Sequence, residues 1–208
     1  MNVSLLFPPT WHPSQPYLSL PSLTGFLAQG GVTDVSQRDL GIELLDKVVT
    51  YSYGTTLYQE LVDKHRTLER ERTGDTGAGS AEHLARVVES LDRFPYLIDR
   101  IEPAKETLRG EGFYDLESYK ESLFLIDKWL EVLSTPYFPT RLTVVDNQFG
   151  SCSIYSSKDL MKIIRDETQN PYIRLFREHF VQSIVGDQPD LIGVSITATS
   201  QIIPGLTL

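Results

Sequence analysis

The chain has 208 residues, 40% of them hydrophobic and 10% aromatic, enough to bury the core of one or two domains. Its 19 Lys and Arg against 28 Asp and Glu give a net charge of −9 and a pI near 4.9, which argues against nucleic-acid phosphates or an anionic membrane surface as partners. One cysteine, Cys152, excludes an internal disulfide, a multi-cysteine zinc site and an iron–sulfur cluster held by this chain alone.

No apolar run approaches the roughly 20 residues of a membrane span. The opening MNVSLLFPP lacks the basic start of a signal peptide, so a cytoplasmic setting is expected. From the N-terminus, Asn2 to Phe7 is an apolar run of the kind found in buried parallel strands, and Pro8-Pro9 ends it by removing two ladder donors. A loop to Ser19 follows. Leu20, Leu23, Phe26 and Leu27 then give a helical stripe beginning near Pro21, and Gly30-Gly31 stop it. Val32 to Leu40 reads as a second strand, completing a βαβ unit. A third strand is expected only at Asp190 to Thr197, followed by a polar turn and a short apolar helix, IIPGLTL.

Between these ends the periodicity is helical. One helix starts at Ile42, Leu45 and Val48, and another carries Leu57, Leu61 and Val62 into the charged run at Arg70 to Arg72. Thr73 to Gly79 has three glycines in seven residues and reads as a loop, after which Ser80 is a cap for Leu84, Val87, Val88 and Leu91. Pro95 and Pro103 are expected to bound a short helix. Asp115 caps a strong one with Tyr119, Leu123, Ile126, Leu130 and Leu133, ending at Thr135-Pro136. Ser157 is expected to cap a helix with Leu160 and Ile163. Asn170-Pro171 is an N-cap and first-turn pair for a stripe of Ile173, Phe176, Phe180 and Ile184. Arg141 to Asp146 is β-prone but isolated.

The fold class that follows is α/β: a partial flavodoxin-like, Rossmann-like parallel sheet with a large, mainly helical insertion. Residues 1–44 and 187–208 would form an incomplete α/β domain, with 45–186 as the insertion. Three parallel strands leave a bare edge, so the chain is expected to be the front part of a longer protein, with the third strand's edge recruiting a second copy or covered by an insertion helix.

Several segments resemble the N-terminal cobalamin-binding domain of B12-binding radical SAM proteins: LLFPPTW, PYLSLPSLTGFLAQGG, VSQRDLGIELLD, YSSKDL, NPYIRLFREHF and PDLIGVSITATSQIIPGL. The resemblance implies a flavodoxin-like domain that holds cobalamin. A following barrel would bind S-adenosylmethionine and a [4Fe–4S] cluster through a CxxxCxxC motif that this chain lacks. It further implies radical-based methylation or rearrangement of a peptide or natural product by the parent, the missing radical SAM domain being this region's partner. The fragment itself would carry no catalytic residue. A second possibility is a protein- or peptide-interaction domain that kept the fold and does not bind cobalamin.

In open parallel sheets, ligands sit beyond the carboxyl ends of the strands at the switch in strand order. That brings together the loop from Pro8 to Ser19, the segment after Asp39, and Ser195 to Gln201. The candidate cofactor-binding residues are Pro9, Thr10, Trp11, Tyr17, Ser19, Asp39, Ser195, Thr197 and Ser200: rigid apolar groups for a flat corrin and short hydroxyls for a nucleotide tail. Asp39 could equally cap the next helix, and the hydroxyls could cap the helix opened by Ile202. The DxHxxG motif of many cobalamin domains has no counterpart; Asp63-Lys64-His65 lacks the glycine and reads as a solvated helix face. Neither GxGxxG after the first strand nor GxxxxGK[ST] occurs, and no histidine pair has metal-ligand spacing, so no metal is expected.

Overall fold

A computed structural model describes residues 1–15, 17–72 and 78–208. In chain order the elements are β1 (Val3–Phe7), α1 (Ser19–Gln29), β2 (Val35–Asp39), α2 (Leu40–Val48), α3 (Tyr51–Arg72), α4 (Ala78–Ile98), α5 (Ile101–Arg109), α6 (Leu116–Ser134), β3 (Arg141–Leu142), β4 (Asn147–Gln148), α7 (Ser157–Ile163), α8 (Pro171–His179), α9 (Val181–Gly186), β5 (Leu191–Val194) and α10 (Ile202–Thr207). The architecture is mixed α/β, a partial Rossmann-like sheet with a helical insertion. No helix among the described residues is long and apolar enough to cross a membrane.

The backbone separates into two compact units, Met1–Leu45 with Ser151–Leu208, and Asp46–Gly150. This corrects the extent of the insertion: the stretch 151–186, expected to belong to it, packs with the sheet. The reason lies in long-range bonds that no periodicity signals. Arg38 on β2 donates to Glu43 at 2.6 Å and to Ser183 on α9 at 2.9 Å, with its guanidinium 5.8 Å from the Phe180 ring centroid. Asn170, fully buried, caps α8 through Tyr172 N and also donates to Ile163 O and to Thr207 Oγ1.

In the sheet unit the strand order is β2-β1-β5, all parallel, with Val3 opposite Val35 and Leu191. All five residues of β1 are buried, as befits a central strand covered on both faces. Val3, Leu5 and Phe7 form a small core with Leu20, and Leu27, Val32 and Val35 pack against it. The rest of the predicted α1 stripe faces outward: Leu23 and Phe26 are exposed. Gly31, at φ +85°, takes the left-handed turn after α1, and Val32 N bonds back to Leu27 O. The far strand β5 pairs only with β1 among the described residues, and no insertion helix buries it. Leu191, Ile192 and Val194 are 51%, 45% and 38% exposed.

The helical unit is built by close approach of helices. Gly54 on α3 has no room for a Cβ, which would strike Ile98 Cδ1 and Trp129 Cη2. Trp129 is fully buried, tilts against Phe94, and donates from Nε1 to Val48 O at 2.8 Å. Asp115 caps α6 as expected, accepting from Ser118 N.

Other punctuation differs from expectation. Pro95 lies inside α4, three residues from its end, where only one late-helix bond is lost, and Pro103 sits in the first turn of α5. Ser80 lies within α4, and Ser156, one residue before the expected Ser157, caps α7. Phe180 divides the single predicted stripe into α8 and α9. The β-prone Arg141–Leu142 pairs with Asn147–Gln148 as a two-stranded ribbon. The expected glycine-rich loop falls largely on residues 73–77, outside those described; Ala78 and Gly79 already belong to α4.

Candidate ligand site at the carboxyl ends of the strands

Asp39 closes β2 and opens α2: its Oδ1 accepts from Gly41 N at 2.9 Å and Ile42 N at 3.0 Å, the capping role that Asp is built for. Burial pushes its carboxyl above the usual range, although bonds from Ile42, Tyr17 and Gly41 oppose the shift. Burial and the neighbouring Asp39 charge in turn push the Tyr17 phenol well up, so its hydroxyl stays protonated and donates to Asp39.

The loop after β1 folds down onto the sheet. Tyr17 stacks on Phe7 with ring centroids 3.6 Å apart, and Trp11 meets Phe7 edge-on at 6.0 Å. The Trp11 indole donates to Gln15 O at 2.8 Å, which closes the loop on itself. Pro9 and Thr10 are buried, while Pro16 lies outside the described residues. His12 is half-buried against Ser14, and burial lowers its pKa. Both aromatic rings nominated for a corrin therefore lie against the strand that precedes them.

The loop after β5 is stitched to the loop after β1 by a residue that the sequence does not single out. Gln201 is fully buried; its Nε2 donates to Pro8 O at 2.7 Å, and its Oε1 accepts from Thr197 N, Thr197 Oγ1 and Ala198 N at 2.9, 2.9 and 3.2 Å. Ser200 Oγ donates to Thr10 O at 3.1 Å, and Thr10 Oγ1 lies 2.9 Å from the Tyr172 hydroxyl. Gly205 lets α10 approach, since a Cβ there would lie 2.7 Å from the Ile196 side chain. Lone glutamines and tyrosines follow no spacing rule, so only a partner-by-partner structure reveals Gln201 and Tyr172.

The nine nominated residues thus divide. Thr10, Thr197, Ser200 and Asp39 are engaged in bonds that hold the fold, and Pro9, Trp11 and Tyr17 are packed. Ser19 and Ser195 differ. Ser19 Oγ, at the N-terminus of α1, is buried with no hydrogen-bond partner among the described residues. Ser195 uses its backbone N–H on Leu6 O at 2.9 Å, while its hydroxyl makes no bond among the described residues.

Elsewhere the chemistry is sparse. His65 lies on α3 beside Glu69 at 3.7 Å, an i,i+4 pair on a helix rather than in a ligand loop. Cys152 is half-buried, its thiol pushed up by burial and by Asp159, the opposite of an activated nucleophile. Among the described residues no group of three His, Cys, Asp or Glu side chains could hold a metal ion. No family model, curated protein or solved structure matches the chain.

Proposed function

We propose that this chain is the N-terminal cofactor-binding region of a cobalamin-dependent radical SAM enzyme of the methyltransferase or Fe–S oxidoreductase class, without catalytic residues of its own. The observation that carries this reading is the strand order. In β2-β1-β5 the chain steps to one side of β1 and then to the other, so the switch in direction falls between β1 and β5. The loops that follow those two strands meet there, which is where open parallel sheets take their ligands.

The residues fit cobalamin in part. Ser19 offers a buried hydroxyl without a partner at a helix N-terminus, and Ser195 offers a free one; both suit a phosphate or amide of a nucleotide tail. His12, in the loop after β1, is turned to Ser14, so cobalamin would be held in these loops without an imidazole from that residue. Cobalamin, when bound, supplies a cobalt centre for methyl transfer or radical chemistry. The task of this chain is to bind and orient it: Gln201 fixes the two loops, and Trp11 and Tyr17 are held rigid by packing on the buried Phe7. S-adenosylmethionine and a [4Fe–4S] cluster would belong to a separate radical SAM domain, the region's natural partner, acting on a peptide or natural product. The exposed β5 edge is where a homodimer would pair.

One observation favours a second reading, an interaction domain that kept the fold without the cofactor: the loop from Pro8 to Ser19 is closed down on the sheet, with its aromatics engaged. Titration with hydroxocobalamin, followed in the visible spectrum, separates the two. Saturable change, weakened by Ser195→Val and Ser19→Val, supports the cofactor reading. After reduction, the electron paramagnetic resonance spectrum should then lack nitrogen coupling from a protein imidazole. A titration without spectral change or retained corrin overturns the cofactor reading in favour of the interaction domain.

A further inference from the structure

The helical unit contains a cavity of about 430 Å³ between α4, the end of α6 and the β3–β4 ribbon, a volume suited to a small molecule. One wall is a single face of α4, carrying Glu82, Arg86, Glu89 and Arg93; Val132, Phe138, Pro139 and Arg141 lie among the residues that complete the lining. Its walls are fixed by internal bonds. Ser134, fully buried, accepts from Arg86 Nη2 at 2.8 Å and from Leu142 N at 3.2 Å while donating to Glu131 O. His83 contacts Thr135 O at 3.0 Å and stacks on Phe138 at 4.8 Å.

The charges there are unevenly satisfied. Glu131 serves three cations, with Lys128 at 2.8 Å, Arg141 at 3.5 Å and Arg93 at 3.7 Å, and Arg93 also pairs with Glu89 at 2.6 Å. Arg86 has no carboxylate within ion-pair reach among the described residues; its bond is to the neutral Ser134 hydroxyl. Burial, and then the Arg141 charge, lower the Arg86 pKa, as expected for a guanidinium that is partly desolvated beside a like charge. The lining itself holds three cations, Arg86, Arg93 and Arg141, and three carboxylates, Glu82, Glu89 and Glu131, but Glu89 and Glu131 are drawn to Arg93, Arg141 and Lys128 rather than to Arg86. Glu131, Glu89 and Glu82 attract Arg86 from a distance without pairing with it directly, and a carboxylate matches the guanidinium fork in a bidentate pair.

We propose that this cavity binds a monoanionic carboxylate ligand, whose carboxylate lies between Arg86 and Arg141 and whose apolar part rests on Phe138, Pro139 and Val132. A phosphate dianion is a poorer match, because Glu82, Glu89 and Glu131 border the site and would repel a second negative charge. The carboxylate can come from a free acid or from the C-terminus of a peptide. This proposal does not depend on cobalamin binding.

Calorimetric titration of the protein with 3-phenylpropanoate and with 3-phenylpropanamide tests it. The acid should bind with a dissociation constant of about 1–5 mM, in line with its small size, and the neutral amide at least tenfold more weakly. Arg86→Gln should weaken the acid at least tenfold. If that variant unfolds, Arg141→Gln, at a half-exposed side chain, should weaken it severalfold without changing the melting curve. A second arm uses N-acetyl-Gly-Phe as its carboxylate and its amide; tighter binding than the free acid names a peptide terminus as the source, weaker binding a small acid. Equal affinity for acid and amide, equal binding of inorganic phosphate, or no saturable binding of either carboxylate overturns the proposal.

Discussion

Residues 46–150 pack apolar side chains between neighbouring helices, whereas in Met1–Leu45 with Ser151–Leu208 a core that includes Leu6, Leu40, Phe176 and Phe180 is additionally closed by polar bonds between distant parts of the chain. In the first region Trp129, Phe94, Leu97, Ile101 and Leu61 are buried and packed without leaving room for a methyl group at Gly54. In the second the apolar cluster at β1 and α1 is small, and the ends are joined by bonds such as Gln201 to Pro8 across 193 positions and Asn2 to Asp190 across 188. The contrast teaches where each region should fail. A bundle of local contacts fails by losing volume, and a closure of distant segments fails by losing a single polar hub.

The largest expected effect is on the bundle. Trp129→Ala removes a fully buried ring and leaves Val48 O without its donor, and should cost about 3–5 kcal/mol in a denaturant melt followed by circular dichroism. Trp129→Phe keeps most of the volume and should lose only about 1–2 kcal/mol, the share of the hydrogen bond. If the two variants cost the same, the bundle is held at this point by the indole N–H rather than by packing, and the contrast drawn above is wrong.

Next is the polar hub. Gln201→Ala strands a buried carbonyl at Pro8 and two backbone N–H groups, and should destabilise by about 2–4 kcal/mol. The chain has two tryptophans, one in each region, so the change can be read locally: with Trp129→Phe as background, Trp11 fluorescence reports the loop that Gln201 holds. An unchanged Trp11 transition would mean that the two loops are closed by something other than this side chain.

Ser4 sharpens the comparison from the other direction. It is 2% exposed in the central strand, and its hydroxyl has no partner among the described residues, so the sheet carries an unmet polar atom in its own core. Ser4→Ala should stabilise by up to about 1 kcal/mol, visible as a raised melting temperature. A loss of stability instead would show that the hydroxyl is satisfied in solution.

The same contrast explains what could be read from the sequence. Strands β1 and β5 were legible as short apolar runs closed by Pro8-Pro9 and by a polar turn, β2 as the segment following the Gly30-Gly31 helix stop, and Asp115 and Asn170 announce their helices by capping chemistry. Stops that depend on context were not: Pro95 is tolerated near the end of α4, and Ser156 rather than Ser157 takes the cap because only one of two adjacent serines has the extended backbone. The packing of 151–186 on the sheet rests on Arg38 to Ser183 and Asn170 to Thr207, pairs with no periodic signature. Of the site, sequence indicated which loops converge but not which hydroxyls remain free, since that is settled by Gln201 and Tyr172 reaching in from elsewhere.

The smallest effect expected is also the one with a direction set by pH. Asp39 has a folded-state pKa raised by burial, so the native state binds its proton more tightly than the unfolded chain does. Stability from this group is then fully present below the ordinary carboxylate range near pH 4 and is lost as pH rises through the folded value. Asn at this position can still cap α2 by accepting from Gly41 and Ile42, but it carries no charge to bury. The melting temperature of the parent relative to Asp39→Asn should therefore fall as pH is raised from about 4 towards 7. Tyr17→Phe acts on the same group: without the Tyr17 hydroxyl the carboxylate loses a donor that favours its charged form, so the decline should steepen. A difference between parent and Asp39→Asn that does not vary with pH would mean that Asp39 is well solvated, and that the end of β2 is open to water rather than closed by the loop above it.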